Sequence, residues 1–344
     1  MVGIRAIEKG ELGVLTVAGG DGTRLGWSGP KGTFPSTPIT GKSLFQLVAE
    51  QILFASRKYG VTVPWYIMTS KTNDEITRSF LLDNNCFGLE RTDIFLCTQG
   101  EMPAVDAEGK IMLASKGKVA MNPDGHGGVL AALQESGAFE EMDARGIKHL
   151  SYVQIDNPMA RVVDPDFLGF HLSETSSKEV TSKCVQKVNP TERVGVFCDI
   201  DGKTTIVEYS DLSEAQSKEV TDCGELKFHA GSIAIHMMSV EFLKRIADDL
   251  PWHKAFKKVN HIDLETGNVI DLAEPNAFKY ERFVFDILPL ATSSLVIQTE
   301  REEEFAPIKN AEGEDSVQTS TQLQLERARR WLRSSGVSVS DNLV

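Results

Sequence analysis

The sequence predicts an α/β fold, a mixed sheet flanked by helices, on three observations. Apolar runs of strand length alternate with helically spaced segments through residue 155. From about residue 182 the pattern changes to short runs separated by turns, which predicts antiparallel strands added to the sheet or packed beside it. A glycine-rich turn also follows the first apolar run directly, and an open α/β sheet gathers its ligands at such strand ends.

Residues 12–17 (LGVLTV) form a continuous apolar run and read as a buried strand. Residues 43–58 (SLFQLVAEQILFASRK) place apolar side chains at Leu44, Leu47, Val48, Ile52 and either Phe54 or Ala55, a helical stripe. Ser43 and Gln46 have the spacing of a capping box. VPWYIMT (63–69) is a second strand, 73–83 a second helix and DIFLC (93–97) a third strand. Residues 128–137 predict a helix opening at a glycine turn, and HLSYVQI (149–155) a central strand. Such successive βα units make a mostly parallel sheet. Further on, KCVQKV, VGVFCDI, TTIVEY and FHAGSIAIHMM read as strands parted by turns such as NPTE and DIDGK. Residues 322–334 (QLQLERARRWLRS) predict an amphipathic helix, and the acidic run 300–304 a solvated element end.

A chain of 344 residues, 41% hydrophobic and 25% charged, has ample core for one large domain or two smaller ones. No apolar run approaches the roughly 20 residues that span a bilayer. The first residues carry charge where a secretory signal would be apolar. The five cysteines show no CxxC spacing, so reduced thiols and a cytoplasmic location are expected. A net charge of -13 argues against non-specific nucleic-acid binding, which wants a basic face. A small anionic ligand remains compatible, provided that the cations it needs are concentrated in one cleft.

The loop GGDGTRLGWSGPK (19–31) supplies such cations. Three phosphate-loop types compete for it and its surroundings. STPITGKS (36–43) nearly matches GxxxxGK[ST], but Ser36 stands where the first glycine is needed and no strand precedes it, so it reads as a turn and helix cap. The dinucleotide pattern GxGxxG fails at Leu25, and no acidic residue follows the second strand to take a ribose hydroxyl, so a nicotinamide dehydrogenase is disfavoured. The third type fits. Gly19, Gly20 and Gly22, with Thr23, let the backbone wrap a triphosphate and aim N–H groups at it. Arg24 can fork onto two phosphate oxygens, and Lys31, after Pro30, adds a point charge. This loop resembles that of sugar-nucleotide-forming nucleotidyltransferases.

From this loop onward the chain resembles the UDP-sugar pyrophosphorylases, in particular those acting on UDP-N-acetylglucosamine. The matching segments occur in order: TQGEMPAV (98–105), NPDGHGGVLAAL (122–133), QIDNPMARVVDPDFLGF (154–170), KVNPTERVGVF (187–197), IVEYSDLS (206–213), FHAGSIAIH (228–236), KYERFVFDILP (279–289) and REEEFAPIKNAEGEDS (301–316). The resemblance implies a Rossmann-like, GT-A-like nucleotidyltransferase core over residues 1–321. Its nucleotide-binding part would be roughly 12–180 and its sugar-binding part roughly 181–321, with 322–344 a C-terminal helix and tail. It implies that UTP and a sugar 1-phosphate become a UDP-sugar and pyrophosphate by in-line attack on the α-phosphorus. Both reactants are anionic, so charge cancellation and positioning are what the protein must provide. By resemblance, Arg24, Lys31 and Lys309 stabilise the phosphates and Asp156 holds Mg²⁺, for which one carboxylate plus phosphate oxygens suffices. Gln99, whose amide offers both a donor and an acceptor, faces the uracil with Gly19 and Gly20, while Pro123, Gly125 and His126 close the other side of the nucleoside. On the sugar side come Gly195, Glu208, Ser232, Phe283 and Phe285. The two phenylalanines alternate as on a strand, so both would face one way.

Three positions depart from the pattern of the N-acetylglucosamine-specific members. His126, His229 and Ser232 each stand where those members carry Asn. They leave glucose 1-phosphate and galactose 1-phosphate open as alternative substrates, and a catalytically weak sugar-nucleotide-binding regulator as a reading of a different class. The shorter flanks imply a minimal version of the family.

Overall fold

The computed structural model describes residues 1–270, 272 and 274–340. Nine strands form one sheet: β1 Leu12–Val17, β2 Trp65–Thr69, β3 Ile94–Thr98, β4 His149–Gln154, β5 Val180–Gln186, β6 Val196–Ile200, β7 Lys203–Val207, β8 Ala230–Ser239 and β9 Ser294–Gln298. Along the main path the order is β7-β6-β8-β4-β1-β2-β3, and β5 pairs with β8 and β9. As expected, β3, β2, β1 and β4 run parallel, and β6, β7 and β8 add antiparallel pairings. The sheet is continuous across residue 180, because β8 pairs with both β4 and β5.

β1 and β2 are buried on both faces, and their side chains alternate between two cores. Val14, Trp65 and Ile67 join Phe45 and Ile52 of the helix Leu44–Tyr59 on one face. Leu15, Tyr66 and Met68 join Phe139 and Phe242 on the other, under the helices Val129–Glu135, Ala138–Arg145 and Val240–Arg245. The chemistry-bearing loops therefore leave the carboxyl ends of β1 and β4 from a rigid three-layer body.

Several local expectations need correction. Ser43 Oγ does accept from Gln46 N (3.1 Å), but the Gln46 amide turns to Glu50 (3.0 Å), so only half of the capping box forms. Ala55, not Phe54, is the buried member of that helix's stripe. The C-terminal helix is Val317–Ser334 and starts earlier than residue 322. Ser316 caps it, exchanging hydrogen bonds with Thr319 (3.2 and 2.9 Å), and its polar first turn gives no apolar signal. The last four residues of the expected tail, 341–344, lie outside the described residues. The acidic run is not solvated throughout: Glu304 ends the short helix Arg301–Glu304 and is buried on Lys183 Nζ (2.6 Å).

A small lobe escapes the sequence reading altogether. Hairpins pairing Glu101–Pro103 with Met121–Pro123 and His253–Lys257 with Ala277–Glu281 enclose a minor core of Ala104, Met112, Ala120, Val259 and Ala277. Among the described residues no helix is long and apolar enough to cross a membrane, and all five cysteines are free.

Candidate active site

The loop after β1 is closed on itself by backbone bonds from Lys31 N to Gly20 O (3.0 Å) and Gly22 N to Gly29 O (2.9 Å). Trp27 packs over Gly22, where a Cβ would come within 2.7 Å of it. Thr23, Arg24 and Leu25 form a 3-10 turn that leaves the Arg24 side chain exposed and without an ion-pair partner among the described residues. Lys31 opens the next 3-10 turn and is buried, its ammonium 3.8 Å from Asp156 Oδ2. Asp156 lies two residues beyond β4, so adjacent parallel strands deliver the pair to one carboxyl edge.

Residues 308–311 reach the same place from the far end of the chain. Ile308 N donates to Asp156 O (2.8 Å), and Ala311 N donates to Arg24 O (3.1 Å). Lys309 between them is bridged to Asp315 (3.0 Å). Burial pulls the Lys309 ammonium down, but the Asp156 and Asp315 carboxylates outweigh it and hold its pKa above the ordinary value. Arg24, Lys31, Asp156 and Lys309 thus converge although they span most of the sequence. Asp315 was missed; its partner is set by a loop that closes only in the fold.

Gln99 follows β3 and is buried. Its Nε2 donates to Gly125 O (2.7 Å), and its Oε1 lies where a Cβ on Gly19 would approach to 2.7 Å. One of the amide's donor positions is therefore already used by the protein. Gly125 has φ +85° and abuts Arg282, so a side chain there would be both strained and obstructed. Pro123 is exposed beside it. His126 accepts from Val284 N at Nδ1 (3.1 Å), which leaves the proton on Nε2. Burial pushes its pKa down to about 4 against the opposing charge of Asp156, so at neutral pH the ring is an uncharged donor.

On the other side, Gly195 leads into β6 and Glu208 follows β7, and a Cβ at Gly195 would lie 3.0 Å from the Glu208 carboxylate. Burial first, then Asp211, raises the Glu208 pKa, and Lys309 opposes them. Ser232 donates its backbone N–H to Gly195 O (2.8 Å) and marks the start of a bulge in β8, with Ala234 at φ +54°. His229 turns its Nδ1 to its own turn at Leu226 O (3.1 Å). Phe283 and Phe285 are not on a strand. The strand ends at Glu281, and Phe283 caps the 3-10 segment Val284–Leu290. Their rings nevertheless share a side, stacked at 5.1 Å and packed on His126 at 5.3 and 5.8 Å. His253, against Phe283 at 4.6 Å, and Asp286, joined to His253 Nε2 at 2.7 Å, complete this wall and were not read from the sequence.

Lys31 and Lys309 stand beside Asp156, with Arg24 exposed on the loop. They lie between an amide and a neutral imidazole on one side and the Glu208 carboxylate on the other, and the stacked aromatics pack on that imidazole. This arrangement suits an extended ligand with phosphates in the middle and a polar ring at each end. Among the described residues no three His, Cys, Asp or Glu cluster as a metal cage. Asp156, whose only ion-pair contact among the described residues is as long as 3.8 Å, keeps lone pairs for a divalent ion completed by ligand oxygens.

Known proteins share this chain almost end to end. The model of the UTP–glucose-1-phosphate uridylyltransferase family matches residues 6–334. A UDP-N-acetylhexosamine pyrophosphorylase-like protein 1 of Xenopus tropicalis is 38% identical over 351 residues, covering 98% of this chain and 68% of its own. The UDP-N-acetylglucosamine pyrophosphorylase of Saccharomyces cerevisiae is 35% identical, covering 100% and 74%. The crystal structure of the UDP-N-acetylglucosamine pyrophosphorylase from Trypanosoma brucei superposes with a TM-score of 0.86 at 31% identity, covering 98% of this chain and 70% of that one.

Proposed function

The chain belongs to the UTP–glucose-1-phosphate uridylyltransferase family, and on that premise we propose that it joins UTP to N-acetylglucosamine 1-phosphate. A phosphate oxygen of the sugar attacks the α-phosphorus of UTP in line. The new P–O bond forms as the α–β bridging bond breaks, and pyrophosphate leaves with the electron pair. The convergence of Lys31, Asp156 and Lys309 at the end of the glycine loop carries this reading, because it gathers positive charge where a triphosphate and a second phosphate would meet.

In this reading Lys31 and Arg24 take the charge that develops on the leaving pyrophosphate, and Lys309 approaches the phosphates from the opposite side. Gly19, Gly20, Gly22 and Thr23 cradle the nucleotide. Gln99 reads the uracil edge with its free amide positions, and Pro123, Gly125 and His126 close over the nucleoside. Gly195, Glu208 and Ser232 meet the sugar hydroxyls, and Phe283 and Phe285 the apolar part of its substituent. Asp156 would hold Mg²⁺, which when bound neutralises triphosphate charge and orients its oxygens.

The test is pyrophosphate release from UTP with N-acetylglucosamine 1-phosphate, glucose 1-phosphate or galactose 1-phosphate, each with Mg²⁺ or with EDTA. Release is expected with Mg²⁺ alone and fastest with the N-acetylated sugar. Faster release with either plain hexose phosphate would transfer the assignment to it. Tight UTP binding without release from any of the three would replace the enzyme with a regulator. A smaller expectation concerns Glu208: Glu208→Gln keeps shape but removes charge, and should raise the sugar-phosphate KM about tenfold, since a hydrogen bond to a charged group is worth roughly 1.5 kcal/mol or more. An unchanged KM would take Glu208 out of the sugar contacts.

A further inference from the structure

One short segment, residues 282–285, stitches the base side of the cleft to its sugar side. Arg282 N donates to Asp124 O (2.7 Å), Gly127 N donates to Arg282 O (2.8 Å), and Val284 N donates to His126 Nδ1 (3.1 Å). The two backbones lie so close that a Cβ on Gly125 would come within 2.4 Å of Arg282 O, and one on Gly127 within 2.6 Å of Arg282 C. On one flank Gly125 O receives Gln99; on the other, Phe283 and Phe285 pack on His126 with tilted rings.

Across this seam lies an ion pair, Arg282 Nη2 to Asp124 Oδ2 at 3.1 Å, with only 13% and 4% of the two side chains exposed. The guanidinium rests on the Trp252 ring at 4.4 Å. The pair is joined by one bond where its chemistry allows two. Arg282 Nε and Asp124 Oδ1 are both buried and both lack a hydrogen-bond partner. They are the two atoms that a side-on bidentate fork would join. Two orphaned polar atoms of one buried pair carry a desolvation cost that a small closing movement would remove.

We propose that Asp124 and Arg282 form a latch that couples nucleotide binding to sugar-phosphate binding. A nucleotide seated against Gln99, Gly125 and His126 turns the Asp124 and Arg282 side chains, whose backbones are already bonded, into the complete fork. That movement sets Phe283 and Phe285 for the second substrate. Arg282 is in this role a positioning residue, acting through the aromatics that follow it. The inference rests on the assignment of the two ends of the cleft to nucleotide and sugar.

The experiment measures binding without turnover. In EDTA, the dissociation constant of N-acetylglucosamine 1-phosphate is determined with and without saturating UTP. For the unaltered protein UTP should tighten it by roughly fivefold or more, an ordinary coupling between sites. Arg282→Lys keeps the charge but cannot make the fork, and should bring the factor below about twofold while the UTP affinity changes by no more than about threefold. The double variant Asp124→Asn, Arg282→Met leaves no unpaired buried charge, so it tests the latch even if the lysine variant folds poorly. It should lose the coupling likewise. A merely structural pair would weaken both ligands together and leave the factor in place, which overturns the latch. So does an unaltered protein that binds both ligands independently. Failure of the unaltered protein to bind UTP even with Mg²⁺ restored would instead overturn the assignment of the cleft, and the latch with it.

Discussion

Lys31→Ala is expected to lower kcat for pyrophosphate release by about 10²–10³-fold, the loss of roughly 3–4 kcal/mol of transition-state stabilisation that removing one preorganised charge-stabilising donor produces. The side chain is buried, so its charge acts with little screening by water. Its position is fixed from below as well. It opens a 3-10 turn whose Gly32 lies so close to the Phe45 ring that a Cβ there would come within 2.2 Å. That contact ties the turn to the hydrophobic core, so the ammonium needs no reorganisation at the moment of reaction. Rates at saturating UTP and sugar phosphate separate the possibilities. If Lys31→Ala raises KM and leaves kcat alone, the lysine binds ground state and transition state equally, and the role given to it is wrong. Lys31→Arg should not restore the rate, because a planar fork does not fit a slot shaped for a point charge 3.8 Å from Asp156.

The parts of this site that could be read from the sequence are those where one short stretch carries both the element and the chemistry. Continuous apolar runs announced β1 and β4, and Arg24, Lys31 and Asp156 lie within a few residues to fourteen residues of the ends of those runs. What escaped depends on pairing across distance. Asp124 and Arg282 are 158 residues apart, and neither stands out in its own segment. Glu304 sits in a run of glutamates that looks solvated until Lys183, 121 residues away, is placed beside it. The hairpin lobe escaped because its core is built from small or isolated side chains, three of the five being alanine, which leave no periodic signal. Phe283 and Phe285 were read correctly as facing one way but for the wrong reason. A period of two predicts a strand, whereas a cap followed by a tight 3-10 turn also brings residues two apart to one side.

Lys183→Met should cost about 3–5 kcal/mol of stability, the penalty of leaving buried charges without their partner. Its ammonium meets Asp164 Oδ2 at 2.7 Å and both Glu304 oxygens at 2.8 and 2.6 Å, and all three side chains are nearly inaccessible. The pH dependence gives the prediction its sign. Burial alone would raise the Asp164 pKa, but the charge and hydrogen bond of Lys183 more than offset it and hold the carboxyl below its ordinary range. A depressed folded value contributes stability above the unfolded value of about 3.9, and the protein loses it as pH falls through the folded value. Without Lys183 burial prevails, and the folded value moves above the unfolded one. The variant's deficit is then greatest at pH 7 and shrinks as the Asp164 carboxyl takes up a proton towards pH 4, whereas the unaltered protein loses this contribution only at lower pH. Urea unfolding of both proteins from pH 4 to 8 reads this directly, and a deficit independent of pH would mean that packing, not charge, is what Lys183 supplies. The consequence reaches the chemistry through Asn157, which donates to Glu304 O (2.7 Å) and accepts from Ala306 N (3.1 Å), while Ile308 N holds Asp156 O. The buried triad thereby anchors the segment that carries Lys309 against the residue after Asp156. A variant that remains folded should still lose kcat, because Lys309 and Asp156 keep their spacing only while Glu304 is held.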